Sequence, residues 1–135
     1  MPRTDRAADF AAVDRRLREI LEPYRAHLAV TKDGPDVFSL EFAGLEGKPW
    51  GYVAGVQTRK SYVSFYLMPM YAQPALVEKV SPELRRRMQG KACFNFTRVD
   101  EGLFTELASL VATGIQGYEL IAKEMAAKRT PARSS

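Results

Sequence analysis

Cysteine and histidine each occur once in this chain. With Cys93 alone no internal disulfide can form, which is typical of a reducing compartment, and we expect a cytoplasmic protein. No cysteine or aspartate forms a catalytic motif with His27, so we interpret His27 as structural. These two scarcities argue against thiol, zinc and histidine-based catalytic sites.

Long apolar runs and catalytic signatures are also missing. No apolar segment approaches the ~18 residues that span a bilayer, so we expect no membrane association. The first residues are rich in Arg and Asp and have no apolar region, which argues against a signal peptide. A glycine-rich phosphate loop, a cluster of metal ligands and a nucleophile elbow are all absent from the sequence. We therefore predict a non-enzymatic protein, with no cofactor indicated by its residues.

The net charge of +4 is small and local. Residues 81–99 hold five basic residues and one acidic residue, which raises the alternative of nucleic-acid or polyanion binding. The basic residues assigned to this alternative are Arg59, Lys60, Arg85, Arg86, Lys91 and Arg98. Consecutive helical residues are rotated by about 100°, so the run at 85–87 cannot share one helix face. We therefore do not expect nucleic acid to be the partner.

Lys48–Tyr71 is the longest run rich in β-branched and aromatic residues, and it predicts a central β-hairpin with a turn at 57–60. Two further strands are predicted at 27–32 and 37–43, around a turn at 33–36, and a fifth at 91–98. Strict alternation assigns two faces to these strands. Residues predicted to face the helices are Val63, Phe65, Leu67, Phe94 and Phe96.

Amphipathic segments predict the helices. An apolar stripe predicts a helix from Asp5 to about Glu22. A short helix is predicted at 75–80, and Ser81-Pro82-Glu83 starts another that ends at Gly90. Asp100 caps a final helix whose stripe continues to Met125. Gly114 and Gly117 are unfavourable inside a helix, so they predict close approach of this helix to the sheet or to the first helix.

This order of elements predicts an α+β fold with the arrangement α-ββββ-α-β-α. We expect an antiparallel five-stranded sheet with the N- and C-terminal helices packed on one face. Residues 1–127 form a single predicted domain, and residues 128–135 are predicted to be a disordered basic tail. The sequence leaves the order of the strands in the sheet open.

Two stretches carry a resemblance to a known family. The segment KSYVSFYLMPMY, and SPELRRRMQGKACFNF followed by a helix that begins DEGLF, resemble the YdhG-like family of bacterial domains of unknown function. Some of those proteins are described as frataxin-like iron chaperones. The resemblance covers roughly Leu17–Tyr118 and implies an α+β fold with helices against an antiparallel sheet.

Iron delivery is an alternative function that the resemblance alone implies. Iron handling of the frataxin kind requires clustered carboxylates, since hard cations prefer oxygen ligands. The acidic residues of the first helix are interleaved with arginines and do not form a continuous ridge. These residues are Asp5, Asp9, Asp14, Glu19 and Glu22. We therefore assign no metal ligand.

The sheet face opposite the helices is the main candidate for function. The residues predicted to lie on it are Tyr62, Ser64, Tyr66, Met68, Cys93, Asn95 and Thr97. Aromatic rings beside hydroxyl, amide and thiol groups suit a small ligand or a protein partner. Three other interpretations remain open, in which this face is solvated, covered by a loop, or covered by the second subunit of a homodimer. The sequence thus favours a small binding module whose ligand or partner it does not identify.

Overall fold

A computed structural model of the chain describes the backbone of residues 2–48 and 51–134, and the side chains of residues 8–48 and 51–124. Trp50, which belongs to the predicted central hairpin, and Ser135 lie outside the described residues, as do the side chains of Asp5 and Met125. In chain order the elements are α1 (Pro2–Leu21), β1 (Ala29–Gly34), β2 (Val37–Glu41), β3 (Tyr52–Thr58), β4 (Val63–Leu67), α2 (Pro69–Ala72), α3 (Pro74–Glu78), α4 (Pro82–Arg85), β5 (Cys93–Phe96) and α5 (Glu101–Ser134).

The five strands form one antiparallel sheet in the order β1-β2-β3-β4-β5. Each strand therefore pairs with the next one along the chain, even where the three short helices separate β4 from β5. The predicted α+β class, with α1 and α5 on one face of a five-stranded sheet, is confirmed. The strand order was the part that the sequence left open.

The core lies between the sheet and the long helices. The predicted inward residues of β4 and β5 are all buried, which confirms the assignment of faces. From α1 the apolar stripe contributes Phe10, Val13, Leu17 and Leu21. From α5 it contributes Phe104, Leu107, Val111, Ile115, Tyr118 and Ala122. Along the described residues no helix is long and apolar enough to cross a bilayer.

The helix that begins at Pro82 is shorter than predicted. Ser81 caps it as expected, since its hydroxyl accepts a 3.1 Å bond from the Leu84 amide. The helix ends at Arg85 rather than Gly90 because the next residues pair with the outer edge of β5. The Arg87 carbonyl accepts from the amide of Asn95, and the amide of Gln89 donates to Cys93. This pairing requires extended backbone and satisfies an edge that would otherwise be open.

The final helix differs from prediction in its end and in its neighbours. It continues through Ser134, so it includes residues 128–134, where the sequence predicts a disordered tail. Gly114 and Gly117 were expected to permit close approach of α5 to the sheet or to α1. They instead allow the α2–α3 segment to approach, because a Cβ at Gly114 would stand 3.1 Å from Pro69 and one at Gly117 would overlap the Gln73 amide.

Candidate ligand cleft on the open face of the sheet

A row of residues crosses the sheet on the face opposite the helices. The register pairs Lys32 with Ser39, Ser39 with Gly55, Gly55 with Tyr66, and Tyr66 with Cys93. Each strand thus contributes one residue to the row. Side chains project from its ends, and the glycine in its middle has none. The backbone of β3 is therefore accessible from this face to a neighbouring side chain.

Tyr52 occupies the space above Gly55. A Cβ at Gly55 would stand 2.7 Å from the carbonyl oxygen of Phe38 and closer still to the Tyr52 hydroxyl. Burial against the sheet raises the pKa of Tyr52 to about 12, and a hydrogen bond with Ser39 acts more weakly in the opposite direction. Tyr52 is therefore a neutral phenol near pH 7, and it forms one wall of a depression.

The depression is a cleft of about 330 Å³, which we call the sheet cleft. Its lining residues are Lys32, Val37, Phe38, Ser39, Tyr52, Val56, Gln57, Arg59 and Tyr66. This volume lies at the lower end of the range for small-molecule sites, about 300–1,000 Å³. The lining combines two tyrosine rings, two cations and no carboxylate.

Arg59 is held at one side of the sheet cleft by neutral groups. Its guanidinium donates a 2.6 Å hydrogen bond to the hydroxyl of Tyr66 and a 3.3 Å bond to the side-chain oxygen of Gln57. The bond to Tyr66 is the main cause of a raised pKa for Arg59. Since the Tyr66 hydroxyl accepts this bond, its own hydrogen remains able to donate to a second acceptor.

A polar network continues from the cleft toward β5. Ser64, which is almost fully buried, donates 2.7 Å to the side-chain oxygen of Asn95, and the Asn95 amide donates 2.9 Å to Gln89. The Cys93 thiol lies 3.4 Å from the same Asn95 oxygen. Partial burial raises the pKa of Cys93, so its thiol is poorly suited to act as a nucleophile near neutral pH. This network of hydrogen bonds holds together the side chains of β4 and β5 beside the cleft.

The residues predicted for a ligand site fall into two groups. Tyr66, Ser64, Cys93 and Asn95 share the open face and meet across the β4–β5 pair. Of this group only Tyr66 lines the sheet cleft. The second group also lies outside the cleft. Tyr62 and Met68 lie just outside the ends of β4, and Met68 packs partly against the core. Thr97, beyond β5, is exposed and lines a different cleft.

Sequence reasoning missed most of the cleft. Lys32, Ser39, Tyr52 and Gln57 were not selected, because their strands were predicted without a register. The available signal was the Tyr-Val-Ala-Gly segment of β3, in which a glycine inside a strand often marks close approach of another group. Arg59 was selected only for the polyanion alternative.

The basic residues of the polyanion alternative are divided among separate places. Arg59 lies in the sheet cleft, and Arg85 donates to the backbone carbonyls of Val77 and Val80 at 2.9 and 3.3 Å. Arg98 lines another cleft of about 310 Å³, where Asp100 is also present. Polyanion binding stays a prediction that these positions do not test.

Three of the acidic residues on and just after α1 have basic partners. Asp14 pairs with Arg18 at 3.1 Å, Glu22 pairs with Arg25 at 3.0 Å, and Glu19 pairs with Arg16. Within residues 8–48 and 51–124, no group of three or more His, Cys, Asp or Glu side chains is arranged to hold a metal ion. Iron delivery likewise stays a prediction from the resemblance.

A third cleft, of about 390 Å³, lies between the loop after β2 and α5. It includes the exposed His27, and the Glu119 and Lys123 side chains of its lining pair with each other at 3.6 Å. The charges of this cleft are therefore largely neutralised by each other. The sheet cleft differs because its cations have no carboxylate partner in the described part of the chain.

Comparison of the chain with protein-family models, with curated proteins and with solved structures gives no match. The resemblance to the YdhG-like family thus stays an expectation based on the two quoted motifs.

Proposed function

We propose that this protein is a binding module that takes a small ligand in the sheet cleft. The observation that carries the proposal is the cross-strand row in which Gly55 stands between Ser39 and Tyr66, with Tyr52 folded over the glycine. Most strand positions on an open face carry side chains that project into water. Here the hydroxyl end of the Tyr52 ring lies over Gly55, and the cleft forms beside it.

The chemistry of the cleft supports binding rather than catalysis. Tyr52 has a raised pKa, so its phenol is not prepared to act as a base near neutral pH. Both rings offer an apolar surface with a polar end, which suits recognition of a small molecule. The hydrogen bonds of Arg59 restrain the cleft before any ligand enters, which lowers the entropic cost of binding.

The proposal can be tested by NMR with the ¹⁵N-labelled full chain and small aromatic probes. Phenol, benzamide and benzoate would be titrated separately to millimolar concentration. We expect at least one probe to shift the amides of β2, β3 and β4 around Ser39, Gly55 and Tyr66. Tyr66→Ala should weaken that binding by about tenfold, since one aromatic wall is lost.

Tyr71→Ala is the matched control, because Tyr71 is 60% exposed and lies outside the cleft. It should leave the probe titration unchanged. If no probe shifts cleft amides, or if the shifts survive Tyr66→Ala with the same affinity, the proposal fails. Sedimentation equilibrium on the same samples distinguishes the alternative in which a second copy of the chain covers this face, because a dimer that buries the cleft would exclude the probes.

A further inference from the structure

We propose that the ligand of the sheet cleft is a small organic anion, whose carboxylate or phosphate oxygens lie between Lys32 and Arg59 and whose apolar body lies against Tyr52 and Tyr66. This inference rests on the proposed function and adds the class of ligand.

The balance of charge in the cleft is the first support. Lys32 and Arg59 are exposed cations that line it, and neither forms an ion pair within the described residues. Three arginines on and after α1, Arg16, Arg18 and Arg25, do pair with carboxylates. The nearby Glu41 lies outside the lining, where its two oxygens accept from Thr31 and from the Gly47 amide at 2.9 Å, and its charge contributes to the raised pKa of Tyr52. Within the lining itself, an anionic ligand would meet the two cations and no described carboxylate.

The supply of hydrogen-bond donors is the second support. The guanidinium of Arg59 donates to Tyr66 and Gln57 through one terminal nitrogen, and its other N–H groups donate to no residue in the described part of the chain. Lys32 contributes an ammonium group, whereas the Tyr66 hydroxyl already accepts from Arg59 and also interacts with the Cys93 thiol. Gln57 is the main side-chain acceptor of the lining, and its oxygen is already occupied by Arg59. Donors in excess of acceptors select an oxyanion, because each of its oxygens accepts several bonds.

Position in the register is the third support. Lys32 and Tyr66 belong to the same cross-strand row, with Ser39 and Gly55 between them. Neighbouring strands are about 4.8 Å apart, so the row from β1 to β4 spans about 14 Å. That span accommodates a ring with one or two substituents and is too short for an extended polymer. The geometry thus favours a small molecule over a nucleic-acid strand.

A matched pair of probes tests the inference. Benzoate and benzamide have nearly the same shape, and only benzoate is charged. We expect benzoate to bind about tenfold more tightly than benzamide, because a charge-assisted hydrogen bond is stronger than a neutral one. Phenyl phosphate, titrated in parallel, distinguishes a phosphate from a carboxylate as the preferred oxyanion.

Three variants separate the charge of the cleft from its shape. Arg59→Gln should bring the affinity for the anions down to that for benzamide measured in the same variant, so that the preference for a charged probe is lost. Arg59→Lys keeps the charge but not the forked geometry, so it should retain part of the preference. Lys60→Gln is the control, because the exposed Lys60 neighbours Arg59 and does not line the cleft. It should retain the full preference.

The outcomes distinguish this inference from the proposed function. If benzamide and the two anions shift the same cleft amides with equal affinity, the cleft binds ligands but does not select anions, and the inference is overturned. The same conclusion follows if Lys60→Gln removes the preference as fully as Arg59→Gln. The preference for anions would then arise from the overall positive charge of the surface and not from the cleft. If none of the probes shifts cleft amides, the proposed function itself fails.

Discussion

The ring of Tyr52 rests on the backbone of Gly55, with the Tyr52 hydroxyl inside the space that a Cβ of residue 55 would need. The two residues are three apart on β3, and the bulge between Leu40 and Glu41 brings Tyr52 opposite Glu41. A glycine on an open sheet face would ordinarily weaken the strand, because it has no side chain to pack. Here it creates the contact that shapes the cleft.

Gly55→Ala should destabilise the protein. The added methyl group would lie 2.7 Å from the Phe38 carbonyl oxygen, which belongs to backbone and cannot rotate away, so we expect a loss of about 1–3 kcal/mol in the free energy of unfolding. Urea denaturation followed by circular dichroism measures this loss. Gly102→Ala is the control, since a Cβ there would make ordinary contact with Asp100 at 3.6 Å and should change stability by no more than about 1 kcal/mol. Equal effects of the two substitutions would contradict the packing described for Gly55.

Tyr52 should ionise at higher pH than an ordinary tyrosine. Its pKa is raised to about 12 by burial, so the folded state favours the neutral phenol. This contribution to stability is complete below pH 10, the ordinary tyrosine value, and is lost as pH rises from about 10 to about 12. Tyr52→Phe should accordingly remove a late step from the titration of tyrosinate absorbance and flatten the fall in unfolding free energy over that window. Tyr71→Phe is the control and should keep the late step, whereas a late step that persists in Tyr52→Phe would show that another tyrosine causes it.

Ser81 and Glu106 should be energetically coupled. The backbone amide and the hydroxyl of Ser81 each donate a 2.7 Å bond to the Glu106 carboxylate, which ties the start of α4 to α5. Because Ser81→Ala removes both the helix cap and one of these bonds, we expect a loss of about 1–2 kcal/mol. A double-mutant cycle with Glu106→Gln should give a coupling energy of at least about 0.5 kcal/mol in urea denaturation. Ser109→Ala, at an exposed position of α5, is the control with no expected coupling.

Cys93 should react slowly with alkylating agents. Burial raises the pKa of its thiol, and the thiolate is the form that reacts. We expect iodoacetamide at pH 8 to modify the native protein more slowly than the same protein unfolded in urea, as followed by intact-mass spectrometry. An equal or faster rate in the native protein would instead identify Cys93 as an accessible, activated thiol.

The sequence was informative where a single element determines the outcome. Apolar stripes in α1 and α5 and alternation in β4 and β5 predicted which residues are buried, because period and face are local properties of a helix or strand. Local signals were insufficient for the segment after Pro82, where pairing with β5 ended the helix early. They were also insufficient for Gly114 and Gly117, whose neighbours come from the distant α2–α3 segment.

The candidate site likewise combines features that a single strand determines with features that depend on how the strands pair. Tyr66, Ser64, Cys93 and Asn95 could be assigned to one face from alternation alone, since successive strand residues point to opposite sides. The row that joins Lys32 to Tyr66, and the contact between Tyr52 and Gly55, depend on the register of four strands and on a β-bulge. A shift of one residue in any of these pairings would move its side chains to the other face. The sequence by itself therefore determined the elements and their buried faces, while only the tertiary structure decided which residues meet to form the cleft, because register is a property of paired strands and not of any one segment.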